Sequence, residues 1–272
     1  MTAAKDAVLH TVKDGIARIT MNRPEAKNAL APDGRDRIIQ LIEDASADLS
    51  VRAVVISGAG GSFCSGADLR AGAAPAKRPK DAPDRVQGDI SRVLATGAQR
   101  LISAVMDCEK PVIAAVDGVA AGIGAHLAFA CDLVIATEDA RFIEIFVRRG
   151  LVPDGAGAYL LVRLIGPQKA KELVFFGGDV HAQDACEMGL VNRVVPADQL
   201  DATVKEWAEL LALGPTRTIA LAKKLINGAH DIDRATALAQ EAWAQEMNLS
   251  THDGQEGVRA FVEKRNPEFK GW

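Results

Sequence analysis

Residues 111–137 read PVIAAVDGVAAGIGAHLAFACDLVIAT. The stretch opens with an apolar run, passes through a turn of small residues into IGAHLAFA, and ends in the β-branched run DLVIAT. A buried strand, a short helix and a second buried strand in succession are typical of a parallel sheet covered by helices. The stretch therefore predicts an α/β fold built on a mainly parallel sheet.

The flanking sequence extends this pattern in both directions. Residues 7–21 alternate apolar and polar side chains around Asp14-Gly15, which predicts a β-hairpin. A helical period over 32–49 leads into the β-branched strand RAVVISGAG at 52–60. After about Gly166 the strand signals fade, and the pattern predicts mainly helices. The predicted C-terminal helices are 198–213, 215–228 and 234–248.

Composition excludes several classes of protein. With 272 residues, 48% of them hydrophobic, the chain can bury a substantial core. Its 32 basic and 36 acidic residues leave a net charge of −4 and no basic stripe, so no nucleic-acid partner is expected. The four cysteines form no C-x-x-C pair, and no apolar run is long enough for a signal peptide or membrane span. We expect a cytoplasmic protein without membrane or metal.

Two strand-to-helix turns are candidates for chemistry: GGSFCSGADL at 60–69 and GVAAGIGAHL at 118–127. The first amides of a helix have no partner within it and carry the positive end of its dipole, so a pair of such turns suits an oxyanion. Each turn alone is weak evidence, because glycine-rich strand-to-helix turns are commonly just tight connections. Phe63 breaks the dinucleotide-binding fingerprint, and no phosphate-binding loop or nucleophilic-serine motif is present.

Four segments in order resemble the crotonase (enoyl-CoA hydratase/isomerase) superfamily. They are MNRPEAKNAL, GSFCSGADL, VDGVAAGIGAHLAFACDLVIA and GLVPDGAGAYLLVRLIG, and a C-terminal AFVEKRNPEFKGW adds a fifth. The resemblance covers nearly the whole chain. It implies a spiral core of repeated ββα units over residues 1–197 and a C-terminal helical trimerisation region over 198–272, with hexamers as pairs of trimers. It also implies acyl-CoA thioester substrates and no permanently bound cofactor.

The same resemblance assigns site residues. The oxyanion-hole amides fall on Ala67 and Ile123; the family usually has glycine at the second place, and isoleucine keeps the N–H while crowding the pocket. The residues implied in CoA binding are Glu25, Ala26, Lys27, Asp68, Leu69, Phe261 and Lys264. The last two commonly come from a neighbouring subunit, and a solvated surface charge is the alternative for Lys264. A surface loop is expected at 71–88, bordering the site.

The chain departs from the family pattern at the two hydratase glutamates. Aligned without gaps, their places hold His126 and Phe146, and phenylalanine can neither activate water nor deliver a proton. Simple hydratase activity is therefore not the expected reaction.

Three polar residues, His126 among them, are candidates for proton transfer in place of the two glutamates. Asp154 matches an acidic position of isomerase-type relatives, and its alternative is an N-cap of the following helix. His126 lies in a first helical turn, where the dipole favours a neutral ring; it could relay a proton or be a packed core histidine. Glu144 could be catalytic or could form an ion pair with Arg148, four residues later.

Three functions follow from these residues. The first is double-bond isomerisation of enoyl-CoA, with an enolate held by the oxyanion hole and Asp154 moving the proton. The second is a hydratase, or a related lyase or hydrolase, in which His126 or Glu144 handles water. The third is a non-catalytic acyl-CoA binder. The sequence leaves the acyl chain open.

Overall fold

The computed structural model describes residues 4–70, 79–83 and 86–272. Most of the loop expected at 71–88 lies outside these residues. Two sheets organise the chain, one of six strands in the order β1-β2-β3-β4-β6-β9 and one of three in the order β5-β7-β8. The strands are β1 Val8–Lys13, β2 Ile16–Met21, β3 Ala53–Gly58, β4 Val112–Val116, β5 Val119–Ala121, β6 Leu133–Thr137, β7 Arg141–Ile143, β8 Asp179–His181 and β9 Arg193–Val195.

The larger sheet is parallel throughout except for the opening hairpin. β1 and β2 pair antiparallel, and every other neighbouring pair in this sheet is parallel. Asp14 and Gly15 join the hairpin with φ of 53° and 75°, as a two-residue turn with two left-handed positions requires. The mainly parallel α/β sheet and the hairpin are both confirmed.

Helices cover the larger sheet and fill the C-terminal region. They are α1 Ala4–Ala7, α2 Pro32–Ala47, α3 Asp89–Leu94, α4 Arg100–Asp107, α5 Ile123–Ala130, α6 Gly157–Phe176, α7 Ala182–Met188, α8 Leu200–Leu213, α9 Thr216–Gly228, α10 Arg234–Leu249 and α11 His252–Glu263. A π-helical segment, Ala95–Gln99, joins α3 to α4. None of the helices in the described part of the chain is long and apolar enough to cross a membrane.

The core lies on both faces of the larger sheet because successive strand residues point to opposite faces. In β3, Val54 and Ile56 pack into the main cluster with helices such as α2, whereas Val55 faces the other way. On that second face, Val204, Ala208 and Ala212 of α8 close a smaller cluster over the sheet. The helix that begins the predicted C-terminal region therefore shares a core with the strands.

Four short strands were missed from the sequence. β5 lies within the expected small-residue turn, and β7 follows β6 closely. β8 and β9 fall after Gly166, where mainly helices were expected. Each of these strands has three residues, too few for an alternating pattern to distinguish a strand from a loop.

Two cations, the half-buried Arg52 and the buried Lys223, tie the C-terminal helices to the sheet. Arg52, just before β3, donates to Thr216 Oγ1 at 3.0 Å and to the Phe269 carbonyl at 3.2 Å. Lys223 of α9 donates to Asp132 Oδ2 at 2.8 Å and to the Val105 carbonyl at 2.9 Å. Burial raises the pKa of Asp132, and the Lys223 ammonium opposes that rise. The Lys223 ammonium therefore offsets the cost of burying the ionised Asp132 carboxylate.

Lys223→Met should destabilise the protein, because the methionine leaves the Asp132 carboxylate buried without its cation. The expected loss in free energy of unfolding is about 3 kcal/mol, measured by urea denaturation at neutral pH. Lys205→Met is the matched control, since Lys205 is exposed and pairs only with Glu209 on the same helix. Equal, small losses in the two variants would contradict the assigned role of Lys223.

Candidate active site

The two strand-to-helix turns selected from the sequence are joined by backbone hydrogen bonds. The amide of Cys64 donates to the Val119 carbonyl, and the amide of Ala121 donates back to the Cys64 carbonyl, both at 2.9 Å. Gly66 has φ of 108°, and a Cβ there would lie 3.0 Å from the Ala121 carbonyl oxygen. Only glycine allows this approach without strain. The turns thus form one surface at the carboxyl ends of β3 and β4.

The amides of Ala67 and Ile123 are unused donors on this surface. Within the described residues, neither N–H donates a hydrogen bond to another protein group. Ile123 is the first residue of α5, so its amide carries the positive end of that helix. A Cβ at Gly124 would lie 2.3 Å from the Cys64 carbonyl oxygen, which shows how closely α5 approaches the first turn. Both predicted donors therefore lie on directly contacting segments.

The segment predicted to lie along CoA adjoins the Ala67 turn. Glu25 and Ala26 lie in a 3-10 turn, which ends at Lys27 with φ of 49°. The Ser65 amide donates to the Lys27 carbonyl at 2.9 Å. Leu69, two residues beyond Ala67, is exposed. The structure therefore brings five of the seven predicted CoA residues, Asp68 included, to one edge of the site.

Asp68 is held by an ion pair. Its carboxylate accepts a hydrogen bond from Arg23 Nη2 at 3.0 Å. Burial raises the pKa of this carboxyl, but the bonds from Arg23 and the Arg70 amide outweigh burial and keep the pKa below its ordinary value. Asp68 is therefore ionised at neutral pH and joins the two segments at the predicted CoA edge.

Phe261 and Lys264, the other two predicted CoA residues, lie at the C-terminal end of α11. Phe261 projects from α11 with 84% of its surface exposed, and Lys264 ends that helix. The segment that follows α11 bonds to Arg52, at the amino end of β3, whereas the site lies beyond the carboxyl end of β3. One chain alone does not bring these two residues to the rest of the predicted site.

Sequence reasoning missed Asn28, which shapes the first turn. Its side-chain amide donates to the carbonyls of Ala59 and Ser62 at 2.9 and 2.6 Å, and its carbonyl accepts from the Arg23 amide. The residue is buried with φ of 56°. Asparagine is among the few residues that adopt a left-handed backbone readily. Lys27-Asn28, after the turn that begins at Pro24, was therefore the sequence signal for this conformation.

His126 and Glu144 form a buried pair beside the α5 amide. His126 Nε2 lies 3.0 and 3.1 Å from the two carboxylate oxygens of Glu144. An ionised carboxylate only accepts, so Nε2 carries the hydrogen. The alternative pairing of Glu144 with Arg148 was wrong: Arg148 bonds Asp179 at 3.0 Å. The expectation failed because Glu144 and Arg148 do not share a helix. The 3-10 turn in this segment begins only at Val147.

The His126 ring is enclosed on its faces. Phe146 stacks on it with ring centroids 5.3 Å apart and planes 10° from parallel. At the first residue of α6, a Cβ at Gly157 would lie 2.2 Å from His126 Nε2 and Cε1. Nδ1 is buried and has no hydrogen-bond partner within the described part of the chain. The ring is thus a buried, hydrogen-bonded histidine with one unused nitrogen.

Asp154 lies on the same turn and is half-buried. Its side chain caps no helix: α6 begins at Gly157 after Ala156, which has φ of 62°, so the N-cap alternative was wrong. Among the described residues its carboxylate has no hydrogen-bond partner. Burial raises the pKa of Asp154; His126 opposes this rise and Glu144 reinforces it. His126 and Glu144 are thus the charged groups that act on the Asp154 carboxyl.

Comparison of the sequence with known families identifies the family of the chain. A family model described as enoyl-CoA hydratase/isomerase matches residues 11–272. The chain belongs to the enoyl-CoA hydratase/isomerase family. This match, together with the structural similarity below, confirms the predicted crotonase-like α/β spiral with its C-terminal helical region.

Relatives in this family carry different reaction names. The chain is 36% identical to a short-chain-enoyl-CoA hydratase of Clostridium acetobutylicum, over 94% of this chain and 95% of the relative. It is 35% identical to a 1,2-epoxyphenylacetyl-CoA isomerase of Escherichia coli, over 97% and 98%. A crystal structure of an enoyl-CoA hydratase from Bacillus anthracis superposes with a TM-score of 0.86 at 31% identity, covering 98% of this chain and all of the other. The names of these relatives share a CoA thioester and differ in the reaction.

Gly157→Ala should disturb the site, because the new methyl group would meet the His126 ring. Overpacking of this kind costs about 1–3 kcal/mol of unfolding free energy. Gly178→Ala is the matched control, since a Cβ there meets nothing within 4 Å. The measurement is urea denaturation of both variants, and equal stability would contradict the contact.

Proposed function

We propose that the protein isomerises the double bond of an enoyl-CoA thioester, with Asp154 as the base. One observation carries the proposal. Of the three acid-base candidates, Asp154 alone is half-exposed with no hydrogen-bond partner among the described residues, whereas His126 and Glu144 are buried against each other. A substrate can therefore reach the Asp154 carboxylate without breaking an existing bond. Its raised pKa also makes it a stronger base than an exposed aspartate.

The unused amides of Ala67 and Ile123 supply the second requirement. Removal of a proton next to a thioester carbonyl places negative charge on the carbonyl oxygen. Two N–H donors aimed at that oxygen stabilise the enolate, and one such donor is typically worth about 100- to 1000-fold in rate. The side chain of Ile123 contacts Gly155, the residue after Asp154, because a Cβ there would lie 2.2 Å from Ile123 Cδ1. This contact supports a site in which the base adjoins the donors.

The proton balance closes within the substrate. Asp154 as carboxylate takes a proton from C2 of a 3-enoyl thioester, and the electron pair moves onto the carbonyl oxygen as an enolate. The neutral carboxyl then returns the same proton to C4, and the double bond ends between C2 and C3. No water, cofactor or metal enters this sequence.

The substrate handle is proposed to be coenzyme A. Support comes from the grouping of Glu25, Ala26, Lys27, Asp68 and Leu69 beside the Ala67 turn, and from the CoA thioesters in the names of the relatives. Phe261 and Lys264 are proposed to complete the nucleotide site of another copy in a trimer. The 84% exposure of Phe261 is consistent with contact to a second chain.

Hydration is the competing proposal, favoured by the reaction name of the Clostridium acetobutylicum relative. It would require His126 or Glu144 to handle water, although each is occupied by the other. The two reactions differ in product mass, since hydration adds one water and isomerisation adds nothing. Binding of CoA thioesters without turnover on any chain length would identify a non-catalytic binder instead.

Asp154→Asn should abolish isomerisation, because asparagine keeps the shape of the side chain and cannot take a proton. We expect kcat on 3-enoyl-CoA thioesters to fall by about 100-fold or more. Ultraviolet absorbance and product mass measure this turnover. Asp198→Asn, an exposed aspartate just before α8, is the matched control. Unchanged turnover in a folded Asp154→Asn protein would falsify the assignment.

The unmodified protein should lose activity in mildly acidic solution. Because burial raises the Asp154 pKa, the carboxylate is protonated at a higher pH than an exposed aspartate, and a protonated base cannot accept the C2 proton. The acidic limb of kcat/KM against pH should therefore lie above the range in which exposed aspartates titrate. A limb within that ordinary range would show that a different group is titrating.

A further inference from the structure

The two unused amides, of Ala67 and Ile123, are held in place by different structures. Ile123 is the first of the eight residues of α5, and the helix directs its N–H along the helix axis. Ala67 lies outside the helices and strands and forms one isolated parallel β-bridge with Leu30. A single bridge fixes the direction of an amide less firmly than a helix does, because it supplies only two backbone hydrogen bonds. The Ala67 donor therefore needs support from the residues around it.

The bridge to Leu30 decides the direction of the Ala67 amide. The Leu30 amide donates to the Gly66 carbonyl at 2.8 Å, and the Asp68 amide donates to the Leu30 carbonyl at 2.9 Å. In a parallel pairing of this kind, the residue between the two bonded neighbours turns its own N–H to the opposite side. The Ala67 N–H therefore points away from Leu30, and because Ala67 is exposed, a ligand can reach it.

One side chain, that of Arg23, bonds to both sides of this bridge. Its Nη1 donates to the Ala29 carbonyl at 2.9 Å, and its Nη2 donates to Asp68 Oδ2 at 3.0 Å. These two acceptors adjoin the two members of the bridge, so the planar guanidinium holds one segment against the other. The side chains of Arg23 and Asp68 are only 24% and 6% exposed, which limits screening of the pair by solvent.

The backbone of Arg23 is anchored as well. Its amide donates to Asn28 Oδ1 at 2.8 Å, and its carbonyl accepts from the Asn28 amide at 2.9 Å. The Asn28 side chain in turn donates to the carbonyls of Ala59 and Ser62. The guanidinium therefore reaches the bridge from a turn that is itself bonded to the segment following β3.

We propose that Arg23 is a positioning residue, which aims the Ala67 amide at the thioester oxygen by holding Ala29 and Asp68 in a fixed relation. Arg23 acts through Ala67 and does not touch the substrate. This inference rests on the oxyanion hole of the proposed function, but it does not depend on which residue is the base. Lysine cannot take this role, since a compact ammonium lacks the rigid fork that reaches two acceptors.

The first test observes the thioester carbonyl without turnover. The probe is hexanoyl-CoA, isotopically labelled at the carbonyl carbon, which has no double bond to isomerise. N–H donors aimed at its oxygen lower the frequency of the infrared C=O band. We expect a lowered band on the unmodified protein and a band returned toward the free frequency on Arg23→Lys. Arg100→Lys is the matched control and should keep the lowered band, since Arg100 bonds Glu43 at 2.9 Å in an exposed pair of α4 and α2.

The second test separates positioning from substrate binding by comparing kcat with KM on a 3-enoyl-CoA thioester. A misaimed donor weakens the transition state more than the bound substrate. We expect kcat of Arg23→Lys to fall about 100-fold, as is typical of a displacement of about 1 Å, with KM close to that of the unmodified protein. A raised KM with unchanged kcat would overturn the proposal and assign Arg23 to substrate binding.

The outcomes separate this inference from the function beneath it. If the unmodified protein and Arg23→Lys lower the carbonyl band equally, the positioning role is overturned and the oxyanion hole stands. If the unmodified protein leaves the band at its free frequency, the oxyanion hole fails and this inference fails with it. If isomerisation alone is absent, the base assignment fails and the infrared comparison decides the role of Arg23.

A second variant covers the case in which Arg23→Lys does not fold. Asp68→Ala removes one of the two acceptors of the same guanidinium and leaves Arg23 in place. A carbonyl band returned toward the free frequency in Asp68→Ala supports the proposal, and a band as low as that of the unmodified protein overturns it.

Discussion

The site depends on the pair of backbone hydrogen bonds between Cys64 and the β5 strand. These bonds join two turns that are otherwise 50 or more residues apart in sequence, and they form between main-chain atoms. Side-chain substitutions therefore cannot remove them directly. Cys64 itself is buried, and burial raises the pKa of its thiol to about 12, so it stays an inert packed group. The reactive geometry is built from main chain, with side chains added around it.

This arrangement separates the functions of the neighbouring side chains. Ile123 supplies an amide to the site and an apolar side chain to the Gly155 turn. His126, three residues later on the same face of α5, packs against Gly157 of that turn. α5 thus presents the Ile123 amide, the Ile123 side chain and the His126 ring. The turn before α6 contributes the Asp154 carboxylate. The glycines in GAG are required because these α5 side chains occupy the space around them.

Elements with a clear local pattern were predictable from sequence. The boundaries of α5 agree with the IGAHLAFA segment. The apolar residues that set the helical period over 32–49 are all buried in α2: Ile38, Ile39, Leu41, Ile42 and Ala45. The interactions that were wrong depended on local assumptions: the N-cap of Asp154 assumed that α6 starts at Gly155, and the Glu144–Arg148 pair assumed a helix there. His126 and Glu144 are 18 residues apart and meet only through tertiary packing. Single-sequence periodicity carries no information about such a contact.

The bonds of Arg52 have a consequence for how the protein is made. Arg52 and Phe269 are separated by 217 residues, so the guanidinium lacks this acceptor until residue 269 has been synthesised. The side chains of Val55, Ile113 and Ile135 likewise stay uncovered until α8 packs on them. A ribosome-bound intermediate ending before α8 exposes an uncovered sheet face, which is a substrate for chaperones and a nucleus for aggregation. The second face of the larger sheet is therefore closed only after α8 has been synthesised.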